Sequence, residues 1–198
     1  MTQEAQQDDL WLLEVWMEHR PRLQRILNAR IPAMMASRLD SDDLMQECYL
    51  ACGRRIDFLQ AKPEIPIFVK LRYVCLQTLV DAQRFHMAAG KRDARKECAI
   101  AQEGDDSEHQ GAWLHLADSM ASPRTQLLKL ERQRMTRQVM SELTATDKEI
   151  LELRHFEDLS NAECAAVLEI EPKAASIRYV RALKRFQELV SKYTFYQN

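Results

Sequence analysis

Apolar residues recur at intervals of three and four along most of this chain, the spacing of amphipathic α-helices. Between residues 10 and 17 this pattern places Leu13 and Trp16 on one inward stripe. Arg20-Pro21 follows, and it is expected to break or restart the helix because proline lacks a backbone donor. Leu23, Ile26 and Leu27 then continue the apolar pattern.

The middle of the chain predicts two further helices separated by a loop. Ser41 is the expected N-cap of the first helix, with acids in its first turn. The loop lies around Pro63 and Pro66, and the longest helical pattern runs from Ile67 to His86. The residues expected to face inward are Leu44, Cys48 and Cys52 in the first helix and Leu71, Val74, Cys75 and Leu79 in the second.

The C-terminal part predicts four helices. The first follows Ser122-Pro123, runs to about Leu143 and turns Leu128, Met135 and Val139 inward. A capping box of Thr146 and Glu149 is expected to open the second, which ends near Phe156.

The last two predicted helices, between Leu159 and Phe186, have the pattern of a helix-turn-helix. Ser160 and Glu163 form a capping box, and Pro172 suits the first position of the second helix. Residues expected inside are Leu159, Cys164, Ala165, Leu168, Ala175 and Tyr179. The alternative without DNA binding is a basic amphipathic helical hairpin that packs on another surface.

Composition supports an all-α fold. The chain has 198 residues and only 4 glycines, and it is rich in good helix formers. No apolar run has the length of a membrane helix, and the acidic N-terminus does not resemble a signal peptide. Five cysteines without a framework spacing suggest reduced thiols and a cytoplasmic location.

Charge is strongly segregated although the formal net charge is only −2. Residues 84–96 and 173–192 are basic, whereas residues 97–123 contain six acids and neither Lys nor Arg. This alternation predicts two anion-binding domains joined by an acidic linker. We assign residues 8–96 to the first domain, 97–122 to the linker and 123–193 to the second domain.

These segments together resemble an extracytoplasmic-function (ECF) sigma factor of the sigma-70 family. SDDLMQECYLAC, from Ser41, is similar to the polymerase-docking motif of the family's region 2, and DAQR at Asp81–Arg84 is similar to the end of its promoter helix. The stretch from Leu143 to Phe186 is similar to region 4 throughout. The resemblance covers most of the chain, with the motifs in the expected order.

The resemblance implies a promoter-specificity subunit without catalytic chemistry, cofactor or bound metal. Its partners would be promoter DNA and core RNA polymerase, contacted at the clamp coiled coil of the largest subunit and at the flap. Region 2 would engage and help melt the minus-ten element, and region 4 would place its second helix on the minus-thirty-five element. The family also suggests an anti-sigma factor as a partner.

The same resemblance assigns candidate residues. The polymerase-binding candidates are Asp43, Gln46, Glu47 and Tyr49. The region 2 candidates for DNA are Arg72, Gln77, Arg84, His86, Lys91 and Arg92. The region 4 candidates for DNA are Lys173, Ser176, Ile177, Arg178, Arg181, Lys184 and Arg185, with Arg178 suited to a guanine and the last two to phosphate. Tyr73 and Phe85 are open between base stacking and a place in the core.

Several positions depart from the family pattern. Gln77 stands where asparagine is usual, and Lys70 replaces a common tryptophan. Glu169 occupies a turn position that is commonly glycine, so it is either outside the left-handed conformation or strained.

Two other classes of function agree less well with the sequence. A stand-alone helix-turn-helix regulator would use the same DNA-binding unit, but the docking motif and the acidic linker argue against it. An enzyme is disfavoured because no Ser/His/Asp set, phosphate-binding loop or metal-ligand spacing is evident. The cysteines on the inner helix stripes are expected to act as small hydrophobic residues.

Overall fold

The computed structural model describes residues 3–32, 35, 39–94 and 123–195, and within these ranges it describes side chains for residues 6–87 and 130–193. All regular structure in the described residues is helical, as predicted. The chain divides into two compact units, Met1–Ala112 and Trp113–Asn198. The linker predicted at 97–122 lies outside the described residues.

The N-terminal unit contains α1 (Gln3–Arg30), α2 (Ser41–Gly53), α3 (Ile56–Gln60) and α4 (Ile67–Ala94). Helices α1, α2 and α4 pack against one another, and α3 packs on α4. Their shared core holds the inward stripes predicted for α2 and α4. Its largest buried side chains are Leu23, Leu27, Leu44, Leu59, Phe68, Leu71 and Val74.

The expected break at Arg20-Pro21 is wrong, because α1 continues through Pro21. An interior proline costs a helix about 3 kcal/mol. Leu12 and Trp16 before it and Leu23 after it are all at least 95% buried, and keeping them on one straight stripe outweighs that cost. Leu13 was also misplaced, since it is 47% exposed and does not join this buried stripe.

Helix α2 begins at Ser41, close to the predicted start, but the N-cap predicted at Ser41 lies one residue earlier. Asp40 is the N-cap of α2, and its carboxylate accepts a hydrogen bond of 2.7 Å from the Asp42 amide. The Ser41 hydroxyl is engaged elsewhere, donating to the Asn28 side chain at 2.7 Å. Aspartate is as good a cap as serine, so the sequence alone could not choose between them.

Lys70 is a buried amine that closes α3. Its Nζ donates to the carbonyl of Leu59 at 2.9 Å and also to the carbonyl of Ala61. Carbonyls at the end of a helix lack intrahelical partners, and a cation there is favoured by the helix dipole. This geometry explains why a lysine can occupy a position where a large apolar residue is usual.

The four described cysteines, Cys48, Cys52, Cys75 and Cys164, are buried free thiols. Hydrogen bonds to Cys48 and Cys52, together with burial, raise the pKa of the Cys75 thiol well above its usual value. The Cys75 thiol therefore stays protonated. All four described cysteines are buried and pack as small hydrophobic residues, as predicted for Cys48, Cys52 and Cys164.

The C-terminal unit contains α5 (Pro123–Glu142), α6 (Ala145–His155), α7 (Asn161–Val167) and α8 (Pro172–Phe195). Helix α8 packs against the other three, and α6 also packs on α7. The buried side chains of this core are Val139, Met140, Ile150, Leu151, Leu153, Leu159, Cys164, Ala165, Ala175 and Ala182. The predicted inward positions Met135, Leu168 and Tyr179 are only half-buried, and the Leu128 side chain is not described.

The capping box predicted at Thr146 and Glu149 is wrong by two residues. Thr144 is the N-cap of α6, and its hydroxyl accepts from the Asp147 amide at 3.2 Å while donating to the Asp147 carboxylate at 2.7 Å. Thr144 and Thr146 are equally adequate caps by residue type, and the structure uses the earlier one. The capping box of Ser160 and Glu163 is confirmed, with reciprocal bonds of 2.7 and 3.2 Å.

The turn between α7 and α8 settles the question about Glu169. Its φ is 53°, so it adopts the left-handed conformation. The Ile170 amide bonds to the Ala165 carbonyl at 3.0 Å, which is the closure of a Schellman motif with Glu169 at the position usually held by glycine. A side chain at this position is therefore strained.

Replacing Glu169 by glycine is expected to stabilise the C-terminal unit by about 1 kcal/mol, because glycine carries no steric penalty at positive φ. Calorimetry of the full chain should show a rise of several degrees in the Tm of one transition. Glu169→Ala is the matched control, since it removes the carboxylate and keeps the Cβ. Equal gains from both variants would mean that charge, rather than backbone strain, limits stability here.

Candidate functional site

Helix α8 presents one exposed face that includes most of the predicted DNA-binding residues. Spacings of three and four residues place them on the same side of the helix. The members of this α8 face are Lys173, Ser176, Ile177, Val180, Arg181 and Lys184, all of them exposed. Val180, which is 63% exposed, was not among the sequence-predicted residues, although its position three residues after Ile177 indicates it.

The opposite side of α8 fixes how this face is presented. Ala175 and Ala182, two turns apart, are fully buried and allow the helix to approach its neighbours closely. The Tyr179 hydroxyl lies 3.1 Å from Nε2 of His155 on α6. Asn161, at the start of α7, donates from its side chain to the carbonyl of Pro172 at 2.8 Å. These contacts join the two helices of the helix-turn-helix to α6.

Two of the predicted DNA-binding arginines lie on a flank of α8 where they contact acids of α6. Nη2 of Arg178 is 3.6 Å from the Glu149 carboxylate. Arg185 forms a short ion pair with Asp147, which is 4% exposed. The structure therefore does not bring Arg178 and Arg185 onto the α8 face.

Asp147 is the electrostatic centre of this flank. Burial raises the pKa of its carboxyl group, but hydrogen bonds from Thr144 and Arg185 and the positive charges of Arg185 and Arg178 outweigh that effect. The pKa is consequently lowered from its ordinary value, and the carboxylate is ionised at neutral pH. A permanent anion at this position holds Arg185 close to α6.

A second candidate surface lies on α4. Tyr73, Gln77, Val80 and Arg84 have the spacing of a single helical face and are all exposed. The Gln77 amide donates to the Tyr73 hydroxyl at 3.1 Å. The ring of Phe58 on α3 lies 5.9 Å from that of Tyr73, so two aromatic side chains meet beside the polar groups. We call Phe58, Tyr73, Gln77 and Arg84 the α4 platform.

The remaining α4 candidates are arranged differently. Arg72 and His86 are half-buried and share their side of the helix with the buried Leu79, so they do not join the platform. Lys91 and Arg92 lie within the helical span, but their side chains are outside the described residues. Tyr73 and Phe85, for which the sequence left stacking and core both open, are 51% and 69% exposed.

The predicted polymerase-binding residues lie on α2. Asp43, Gln46 and Glu47 are exposed, whereas Tyr49 is half-buried with its ring edge-on to Trp16 at 5.4 Å. The first three therefore form an accessible polar surface, and the tyrosine connects that surface to α1.

Beside this polar surface runs an apolar groove between α1 and α2, which the sequence reasoning missed. Its exposed apolar members are Leu13, Met17 and Leu50, at 47%, 60% and 58%. Arg20 and Asp42 stand at one end and are joined by an ion pair of 3.5 Å. We call this feature the α1–α2 groove, which is lined by Leu13, Trp16, Met17, Arg20, Asp42, Met45, Gln46, Tyr49 and Leu50. The sequence pattern that could have indicated this groove is a second apolar stripe on α1, formed by Leu10, Leu13 and Met17.

Within the described residues, no group of three or more His, Cys, Asp or Glu side chains is arranged to hold a metal ion. None of the described helices is both long and apolar enough to span a membrane.

Comparison with known proteins identifies the C-terminal unit. Residues 133–186 match the family model described as Sigma-70, region 4. The match includes α6, α7 and the first part of α8, and therefore the whole α8 face. No curated protein matches the chain.

Several solved structures show some overall similarity. One is CnrH in complex with the cytosolic domain of CnrY, with 20% identity, 95% of each chain covered and a TM-score of 0.49. Another is an RsbN–BldN complex, with 14% identity, 90% of each chain covered and a TM-score of 0.29. A third is the flagellar complex Sigma-28/FlgM, with 16% identity, 96% of this chain and 99% of that chain covered and a TM-score of 0.35. These TM-scores and sequence identities are too low to assign a fold. The family assignment therefore depends on the region 4 match at residues 133–186.

Proposed function

We propose that this chain, a sigma factor of the sigma-70 family, binds core RNA polymerase and directs initiation at specific promoters as a member of the ECF class. The observation that carries the proposal is the exposed α8 face within the matched region 4. In this proposal residues 8–96 act as region 2, residues 123–193 act as region 4 and residues 97–122 connect them in the cytoplasm. The chain contributes binding and orientation, while the polymerase performs the chemistry.

The α8 face suits the major groove of the minus-thirty-five element. Lys173, Arg181 and Lys184 carry positive charge on it, and no acidic residue occurs between Pro172 and Gln187. Contacts from these cations to phosphates would set the register of the helix, while side chains in its first turns reach base edges. Arg178, held by Glu149, could reach DNA only by exchanging that ion pair for a new contact.

The α4 platform suits the minus-ten element, where the strands must separate. Single-stranded bases bind to exposed aromatic rings by stacking, which contributes about 1–3 kcal/mol per base. Phe58 and Tyr73 offer two such rings, Gln77 offers an amide and Arg84 offers a cation for the adjacent phosphate. The basic residues that follow, Lys91 and Arg92, would extend the contact along the DNA backbone.

The α1–α2 groove, with the acidic surface beside it, suits the clamp coiled coil of the polymerase. An amphipathic helix that brings apolar side chains to Leu13, Met17 and Leu50 and basic side chains to Asp43 and Glu47 would satisfy both features. The flap contact of region 4 and an anti-sigma partner belong to the proposal on the family resemblance alone.

Replacing both Gln46 and Glu47 by alanine is expected to weaken binding to core polymerase roughly tenfold, because these side chains border the groove without contributing to the core. Affinity should be measured with the full chain by fluorescence anisotropy. The matched control replaces the exposed Gln187-Glu188 pair, which is the same dipeptide on α8. Unchanged affinity in the first variant would remove α2 from the proposed docking surface.

A further inference from the structure

We propose that Ile177 and Val180 read thymine methyl groups, so that the minus-thirty-five element of this sigma factor contains thymines beneath the centre of α8. This inference rests on the proposed function and adds the base identity that the α8 face selects. It concerns the two positions on that face that carry neither charge nor a hydrogen-bonding group.

The exposure of these two side chains is the first step. Ile177 is 45% exposed and Val180 is 63% exposed, although the same helix buries Ala175 and Ala182 completely. On α8 the small side chains of Ala175 and Ala182 are therefore buried, while the larger apolar side chains of Ile177 and Val180 are exposed. Packing of the helix alone would favour the opposite arrangement. Both are among the exposed apolar side chains that the described part of the C-terminal unit leaves uncovered.

Their surroundings identify the kind of surface that would cover them. Lys173 precedes them on the α8 face, and Arg181 and Lys184 follow. Apolar side chains bracketed by cations complement a surface that is anionic at its edges and has an apolar centre. Duplex DNA has this character where thymine methyl groups project into the major groove between two rows of phosphates.

Chemistry then selects the base. The C5-methyl of thymine is the apolar group by which the major groove distinguishes T·A from the other base pairs. Residues three apart on a helix have Cβ atoms about 5–6 Å apart, and successive bases along a strand rise about 3.4 Å. Ile177 and Val180 can therefore contact methyl groups on neighbouring base pairs.

The hydrogen-bonding capacity of the same face is small. Ser176 offers a hydroxyl, and Lys173 and Arg181 are the cations near the start of the helix. The remaining nearby donor, Arg178, is already paired with Glu149 at 3.6 Å. Apolar contact by Ile177 and Val180 therefore adds a means of discriminating between bases to the donors of Lys173, Ser176 and Arg181.

The test removes the methyl groups and leaves everything else in place. Full-length chain bound to core polymerase is first used to select its promoter from a library of duplexes. Each thymine of the upstream element is then replaced in turn by deoxyuridine, which lacks only the C5-methyl. We expect one or two positions at which affinity falls about three- to fivefold, the size of losing one buried methyl. Thymines outside the element should be insensitive to the replacement.

Two protein variants identify which side chain, Ile177 or Val180, contacts each thymine methyl group. Ile177→Ser and Val180→Ser remove the branched apolar groups at exposed positions, so folding should be preserved. In each variant, replacing thymine by deoxyuridine should no longer lower the affinity at one base position. At the other base position the replacement should lower the affinity as it does for the parent chain. Because the deoxyuridine series changes only the DNA, a variant that fails to fold does not prevent the test.

The outcomes separate the inference from the function on which it rests. Selection of a discrete promoter without thymine in the upstream element, or with thymines that uracil replaces at no cost, overturns the inference while the sigma-factor proposal stands. Failure of the chain to bind core polymerase or to select any promoter overturns both.

Discussion

Replacing Leu50 by arginine is expected to abolish stable association with core RNA polymerase. Leu50 is 58% exposed and lies in the α1–α2 groove, where a charged side chain would be buried without a partner when an apolar helix docks. Central interface residues of this kind contribute about 2–4 kcal/mol, so the Kd should rise roughly thirtyfold to a thousandfold. Size-exclusion chromatography with core polymerase, followed by titration, measures the loss.

Leu50→Met is the control for this experiment, because it preserves apolar surface and helix propensity. Both variants should unfold at the temperature of the parent, since the side chain is outside the core. Retained binding of the arginine variant would show that the polymerase does not use the groove.

Replacing Ala175 by leucine is expected to destabilise the C-terminal unit severely and to abolish binding to the upstream promoter element. Ala175 is 0% exposed, so the added carbons have no space unless α8 moves away from its neighbours. Overpacking of this kind costs about 1–3 kcal/mol, and more where the backbone cannot shift. Calorimetry would detect a lower unfolding temperature of the C-terminal unit. Footprinting would show that the upstream promoter element is no longer protected.

Ala174 provides a matched control one residue away, because it is exposed. Ala174→Leu adds the same three carbons in the same turn of α8, but on its exposed side. It should leave the unfolding temperature nearly unchanged. Equal destabilisation by both substitutions would contradict the burial of Ala175 and with it the orientation of the α8 face.

The helix-turn-helix could be predicted from the sequence because its determinants are local. The capping box of Ser160 and Glu163, Pro172 at the first helical position and the buried Ala165 lie within a few residues of one another, and each favours the same structure. The inward stripes of α2 and α4 were predictable for the same reason, since periodicity and burial agree there.

The errors occurred where tertiary contacts outweighed local preference. Pro21 was expected to break α1, yet the core on either side of it keeps the helix continuous. The N-caps of α2 and α6 are Asp40 and Thr144 rather than the predicted Ser41 and Thr146. All four residues are adequate caps by type, so local sequence does not distinguish them. The short helix α3 depends on distant support from Lys70, which no local pattern indicates.

The functional surfaces were only partly predictable. The sequence placed cations on α8, but it could not show that Arg178 and Arg185 would contact acids on α6. The α1–α2 groove likewise required the structure, because its two walls come from separate segments of the chain. Val180 was missed because an exposed apolar residue cannot be distinguished from a core residue by its type alone.

The function proposed for this chain is to confer promoter specificity on RNA polymerase. The most direct measurement combines purified chain with sigma-free core polymerase and a pool of genomic fragments, and maps the 5′ ends of the transcripts. We expect a stable complex and initiation at a discrete set of sites that core polymerase alone does not use. Sequence-selective DNA binding by the chain without any association with core polymerase would contradict the account and would identify a stand-alone regulator instead.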